Sequence, residues 1–490
     1  MNQGSAKFLG LGLAQWLAAA LMLQWVWAYN GGPILYGDSG QYLLSAQTCN
    51  LLSYRPSGYP LLLLPALWAG GLWPLLWLQA GVTAWLLLRL LRLELNFGPW
   101  RSLTAVLGLC LFTTLPWWVV TVMSDLWASL IALAAYMLLF HWGGVGRAER
   151  VALTLVLLLG LVSHISAVLI LAATLGLLAL LGGAGRLLGG TRLKIRGAGA
   201  ITVCAALIAG GLFFPVANLW QHQTAAPATG AARLALARVA VDGLLLDMLQ
   251  ERCGDPAYYQ YSLCAHLKPL EKLLSLPPEK NPTNYCPCSQ EGFVTWILNF
   301  GRIAPLRDAY VKEGATDAGR TLWDSLLYHP WGHVKAVIKG TWDIYGNSVI
   351  SPFINGKLAT AGIIKRFFPI NNYRDFKDAR TVKGTLRLEF FNGYLLPLVW
   401  LGGAVSLVGL IVLLLGRRLV SRLPEKYFHW ARLAAFCLAF TLANALIMYA
   451  AVGDHTRYQS RCSWLVAMQP VLILVLALYR RRPAQDGRAN

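Results

Sequence analysis

Long apolar runs alternate along the chain with short polar, mostly basic interruptions, and the runs can be read one at a time. Residues 8–28 are apolar, follow Lys7 and lack a small-residue cleavage site, which predicts a retained helix across a hydrocarbon core of ~30 Å. Further spans are predicted at about 73–91, 102–120, 126–142, 199–216, 394–415, 430–452 and 463–479. The apolar stretch 151–181 is interrupted at Ser163-His164-Ile165-Ser166 and has arginines at both flanks, so it predicts two helices turning near His164. Residues 60–69 are apolar but short and end at Gly70-Gly71, which fits a helix lying in the membrane interface. The pattern as a whole predicts an all-α polytopic membrane protein with about ten transmembrane helices.

Composition agrees, with 57% hydrophobic and 13% charged residues and a mean hydropathy of +0.52. The formal charge of +20 gathers into particular loops, which makes it a topological signal and not the footprint of a nucleic-acid partner. Arg89, Arg92 and Arg101, then Arg147 and Arg150, then Arg186 to Arg196, then Arg417 to Lys426, and finally Arg480 to Arg482 mark cytoplasmic ends. Both termini are therefore expected in the cytoplasm. The expected organisation is an N-terminal transmembrane module, 1–216, whose first extracytoplasmic loop is 29–60; an extracytoplasmic domain of mixed structure, 217–392; and C-terminal helices, 393–490, with an outer loop at 453–462. Within the outer domain, Arg233 to Leu249 predicts one amphipathic helix near the interface.

Nine cysteines are present. Cys110, Cys204 and Cys437 fall in apolar runs and read as small hydrophobes. Cys253, Cys264, Cys286 and Cys288 share the outer domain, where two disulfides are expected, with Cys286 and Cys288 each joined to Cys253 or Cys264; zinc is the alternative.

The polar residues that sidedness collects on the outer face are Asp38 and Arg55 in the first loop, Asp125, His164, and the run from Asp454 to Arg461. Ionisable groups at a membrane edge mark a functional site by default, because hydrocarbon penalises them. Each also has a structural reading. Asp38 and Asp125 have the residue type of a helix N-cap, Arg55 can snorkel, and His164 can be a satisfied turn residue. Arg457 and Arg461 can pair with Asp454 or with lipid headgroups, and Tyr36, Tyr42, Tyr54 and Tyr59 can be belt and packing residues.

Gly37-Asp38-Ser39, the Arg-Pro-x-Gly-Tyr-Pro element at 55–60, Ser124-Asp125, the break at Ser163-His164 and a large late outer domain resemble the GT-C superfamily of integral-membrane glycosyltransferases. Relatives of that general type are the aminoarabinose transferase of lipid A and the protein O-mannosyltransferases. The resemblance implies a bacterial inner-membrane enzyme with its active site facing the periplasm. It implies inverting transfer of a sugar from a polyprenyl-phosphate donor to a hydroxyl of a glycan, lipid or protein acceptor, next to membrane lipids. Asp38 would be the catalytic base, and Arg55, Tyr59, Asp125, His164, Arg457 and Arg461 would bind substrate, with guanidinium groups receiving the leaving phosphate. No cofactor and no metal are implied: some members carry an acidic pair in the first loop, but here there is a single Asp. The family's residue at the helix break is often Lys, and His164 stands there instead. Alternative readings are an O-antigen ligase or polymerase, which would depend on basic residues of the large loop, and a lipid or solute transporter.

Overall fold

In a computed structural model the residues described are 3–52, 58–187, 195–226, 231–255, 261, 263–264, 267–274, 315–348, 350, 365–368, 376–419, 425–453 and 456–479. The elements are helices: α1 Gln3–Leu23, α2 Trp25–Asn30, α3 Gly37–Thr48, α4 Tyr59–Trp68, α5 Trp73–Leu95, α6 Pro99–Phe112, α7 Leu115–Val119, α8 Asp125–Phe140, α9 Arg147–Ser163, α10 Ile165–Leu187 and α11 Gly197–His222. They continue as α12 Ala231–Val241, α13 Leu244–Arg252, α14 Leu267–Leu274, α15 Ala315–Tyr328, α16 Pro330–Gly346, α17 Arg380–Lys383, α18 Leu388–Leu419, α19 Glu425–Val452 and α20 Thr456–Leu478. Six of these, α5, α10, α11, α18, α19 and α20, are long and apolar enough to cross a membrane, and α4, α6 and α8 are shorter apolar helices.

The bundle is built around α8. It is apolar on every face, and each of its residues from Asp125 to Phe140 is buried, as expected of a helix with no polar side to offer water or headgroups. Helices α5, α9, α10, α11, α19 and α20 pack around it, and α18, α19 and α20 pack on one another. The break in 151–181 is present: α9 stops at Ser163, His164 is extended, and α10 begins at Ile165. The span expected at 102–120 is two pieces. Thr113 is extended after α6, and Pro116 opens α7.

At the end of α8 remote from Asp125, polar groups lock the bundle. Glu94 of α5 is fully buried between His141 and Arg432. The Arg432 Nη2 atom lies 3.1 Å from Glu94 Oε2, and its Nε donates to the Tyr136 hydroxyl at 3.0 Å. Arg89 pairs with Glu149 on the same side.

The described part of 217–392 is helical, with no strand among the described residues, so the mixed structure expected there is not seen in them. Its helices α12, α13 and α15 enclose a small apolar core of their own around Leu236, Leu245, Met248 and Leu249. The single amphipathic helix expected over 233–249 is two helices. Gly243 takes a left-handed conformation (φ +82°), which side chains other than glycine rarely adopt, and the chain turns there. The disulfide joins Cys253 to Cys264, so neither is left to pair with Cys286 or Cys288 as expected; those two lie outside the described residues.

Candidate functional site

Two chain segments that each lead into an aspartate are pinned side by side. The Ile34 backbone accepts from Val122 N–H at 2.9 Å and donates to Val120 at 3.0 Å, an isolated parallel bridge just ahead of α3 and α8. Ser39 strengthens it by donating to the Val122 carbonyl at 2.7 Å while accepting from Tyr36 N–H at 3.0 Å. Ser39, not Asp38, thereby satisfies the start of α3, and the cap of α8 is Ser124, not Asp125. Both aspartates sit in the first turn of their helices, where the macrodipole favours a carboxylate.

Both acids face the first turns of α20. Arg457 and Arg461 are four residues apart and so share one face of that helix. The Arg457 Nη2 donates to Asp38 Oδ2 at 3.4 Å and to the Tyr458 hydroxyl at 2.9 Å. Its guanidinium also lies over the rings of Tyr36 (5.2 Å) and Tyr458 (4.6 Å). One turn deeper, Arg461 Nη1 donates to Asp125 Oδ1 at 3.1 Å. Arg461 Nη2 meets Ser166 Oγ at 3.0 Å and Asn444 Oδ1 at 3.1 Å, and also touches the Met448 sulfur.

The two pairs differ in access. The side chains of Asp38 and Arg457 are 18% and 17% exposed, whereas those of Asp125 and Arg461 are 1% and 0% exposed. The first pair is partly open to the surroundings, and the second is sealed beneath it. Arg457 and His164 both lie within electrostatic reach of Asp125, so the tiers act on each other. Asp125 Oδ2 and Arg461 Nε have no hydrogen-bond partner among the described residues.

His164 joins through Ser166. Its Nδ1 accepts from the Ser166 backbone N–H at 3.2 Å and lies 2.7 Å from Ser166 Oγ. That hydroxyl already accepts from Arg461, so its proton is directed to Nδ1.

Of the residues singled out from the sequence, Asp38, Asp125, His164, Arg457 and Arg461 come together, and Arg55 lies outside the described residues. Tyr59 is fully buried; its hydroxyl donates to Gln79 Oε1 at 3.1 Å and its ring packs edge-on to Tyr42. The glycine of the 55–60 element has a steric reason. Gly58 N–H donates to Val162 O at 2.5 Å, and a Cβ there would lie 2.5 Å from the Val162 side chain, so the start of α4 is pressed against the chain just before His164. Asn444 and Met448 were not anticipated. Each is a single residue in the apolar run of α19, with nothing local to distinguish it. Among the described residues, no three His, Cys, Asp or Glu side chains converge as a metal cluster would require.

Taken together, the fold and the cluster define an all-helical, membrane-embedded protein with paired acids and arginines at one end of its bundle. No family model, curated protein or solved structure matches the chain significantly.

Proposed function

We propose that the chain is an inverting glycosyltransferase of GT-C type, moving a sugar from a polyprenyl-phosphate donor to an acceptor hydroxyl on the extracytoplasmic face. The proposal includes about ten spans, cytoplasmic termini, a bacterial inner membrane and a periplasmic site. The observation that carries it is the partly accessible Asp38–Arg457 pair built on the sealed Asp125–Arg461 pair. Asp38 supplies the carboxylate that takes the acceptor proton as the hydroxyl attacks the anomeric carbon. The bond from that carbon to the phosphate oxygen breaks, and the electron pair leaves on the lipid phosphate.

The surroundings favour an anion. The N-termini of α3, α8, α10 and α20 all reach this cluster, through Asp38, Asp125, Ser166 and the two arginines, and helix N-termini attract negative charge. Arg457 is the accessible cation. Among the described residues its bonds to Asp38 and to Tyr458 both come from Nη2. Arg461, sealed and engaged, holds the geometry and does not itself touch phosphate.

The test has two arms. Mass spectrometry of lipids co-purifying with the protein should find a polyprenyl-phosphate sugar, which then serves as donor in a transfer assay, and Asp38→Asn should abolish most of that transfer. Full transfer by Asp38→Asn would reject the mechanism in favour of the ligase reading, and movement of a solute across vesicles with no transfer would favour a transporter.

A further inference from the structure

Helix α16, Pro330–Gly346, carries two apolar faces separated by a charged strip. One face is inside the protein. Ile344 and Tyr345 pack with Ala445 and Tyr449 of α19, and Gly340 is so close to the Tyr449 ring that a Cβ would lie 1.8 Å from it. The second face, Trp331, Val334, Ile338 and Trp342, follows the i, i+3, i+7, i+11 spacing of a single stripe and is largely exposed, Trp331 at 75% and Ile338 at 64%. Lys335, Lys339 and Asp343, all exposed, form the adjoining strip at i, i+4, i+8.

The occupant of that stripe follows from depth and continuity. Helix α19 has 28 residues, about 42 Å at the helical rise, so each end passes the ~30 Å hydrocarbon core by roughly 6 Å. Tyr449 lies about one turn and Ala445 about two turns inside its Val452 end, so α16 crosses α19 roughly 5 to 10 Å below that end, at the hydrocarbon boundary. This is the end that carries Asn444 and Met448 of the site. The stripe is continuous with a lipid-facing surface. Trp342 packs edge-on to Trp400 of α18 at 5.8 Å, and α18 goes on to expose Leu401, Leu407, Val408 and Ile411. Exposed tryptophans with lysines alongside are the composition of a helix lying in the interface.

We propose that α16 is an interfacial anchor, with the stripe Trp331–Val334–Ile338–Trp342 immersed in the lipid leaflet at the site end of the bundle and Lys335 and Lys339 at headgroup level. The outer region is thereby fastened to the membrane surface beside the cluster as well as to α19. The inference depends on the membrane-embedded fold and not on the transferase reading.

The test places the photo-crosslinking residue p-benzoylphenylalanine at position 338 of the full-length protein, and in a second variant at position 339, and irradiates membranes of the expressing cells. Both positions are exposed, so neither insertion disturbs packing. Mass spectrometry of the purified protein should show phospholipid adducts several-fold more abundant at 338 than at 339. Equal lipid adducts at both positions, no adduct at 338, or an adduct to a second copy, to another segment of this chain or to a different protein would overturn the proposal.

Discussion

The two aspartates should part company when each is changed to asparagine. Asp38 and Arg457 are each nearly one-fifth exposed, so water screens their attraction, and losing the charge of Asp38 should cost at most ~1 kcal/mol of stability. Asparagine also keeps an oxygen for the Arg457 N–H. In the proposed reaction the same change removes the base, which should lower transfer by roughly 10²- to 10⁴-fold. Asp125 is the opposite case. Arg461 is wholly buried, and with Asp125→Asn its guanidinium keeps Ser166 and Asn444 but has no counter-charge at its side. Removing one partner of a buried pair costs about 3–5 kcal/mol. Thermal unfolding in one detergent at one pH, followed by tryptophan fluorescence, should therefore leave Asp38→Asn near the wild-type midpoint and move Asp125→Asn well below it. Transfer from the co-purified lipid donor is measured in parallel. The reasoning is refuted if Asp38→Asn retains full transfer, or if it unfolds as early as Asp125→Asn, since its lost activity would then be a folding effect.

Three further outcomes follow from the same structure. Arg457→Lys keeps a charge but loses the flat surface lying over Tyr36 and Tyr458, and Arg457→Ala loses both; donor binding should weaken in that order, by about 10- to 100-fold for alanine, read as KM or as displacement of bound lipid. Glu94→Ala leaves Arg432 without its carboxylate at the far end of α8, about 24 Å from Asp125 along the helix; it should cost about 3–5 kcal/mol with donor affinity unchanged. In α16, burial and then the nearby Arg238 hold the His333 imidazole below its ordinary pKa, opposed by its contact with Ser325 and by Asp242. A lowered folded-state value means that the unfolded chain takes the proton first, so stability is intact above about pH 6.5 and falls as the pH drops towards the folded value; hydrogen exchange in α15 and α16 should rise over that window, and His333→Gln should flatten the rise.

That the polar residues would gather was legible from the sequence, because hydropathy runs and basic loops follow strong rules in membranes, and Asp38, Asp125, His164, Arg457 and Arg461 do meet at one end of the bundle. Pairing was not legible. Nothing in residues 454–461 says that Arg457 meets Asp38 while Arg461 meets Asp125, because that depends on how α20 rotates against α3 and α8. Burial was equally hidden: the short range between Arg457 and Arg461, one helical turn, separates an accessible side chain from a sealed one. The burial of Tyr59 was hidden for the same reason, since a tyrosine beside a polar loop reads alike whether its hydroxyl is open or meets Gln79. The division at Gly243 was missed because apolar periodicity continues across it while the backbone does not.

The charge balance of the cluster bears on how a reaction there would end. Among the described residues the two arginines and two aspartates of the cluster cancel, but the helix N-termini do not; each carries about half a positive charge, so the four contribute roughly +2 directed at one place. Arginines in the first turns of α20 are themselves poorly placed for that helix, since they oppose its dipole, and the aspartates of α3 and α8 offset this. A lipid-phosphate sugar is a diester with about one negative charge, whereas the freed lipid phosphate is a monoester with about −1.5 to −2 at neutral pH. A site with a fixed positive surplus holds the product more tightly than the donor. Polyprenyl phosphate should accordingly inhibit transfer competitively with a constant below the donor KM. Lowering the pH from 7 to 5, which takes the monoester through its second pKa near 6, should weaken that inhibition, and Arg457→Ala should weaken inhibition more than it weakens donor binding. Product inhibition no stronger than donor binding, and indifferent to pH and to Arg457, would refute the charge argument even if transfer itself were observed.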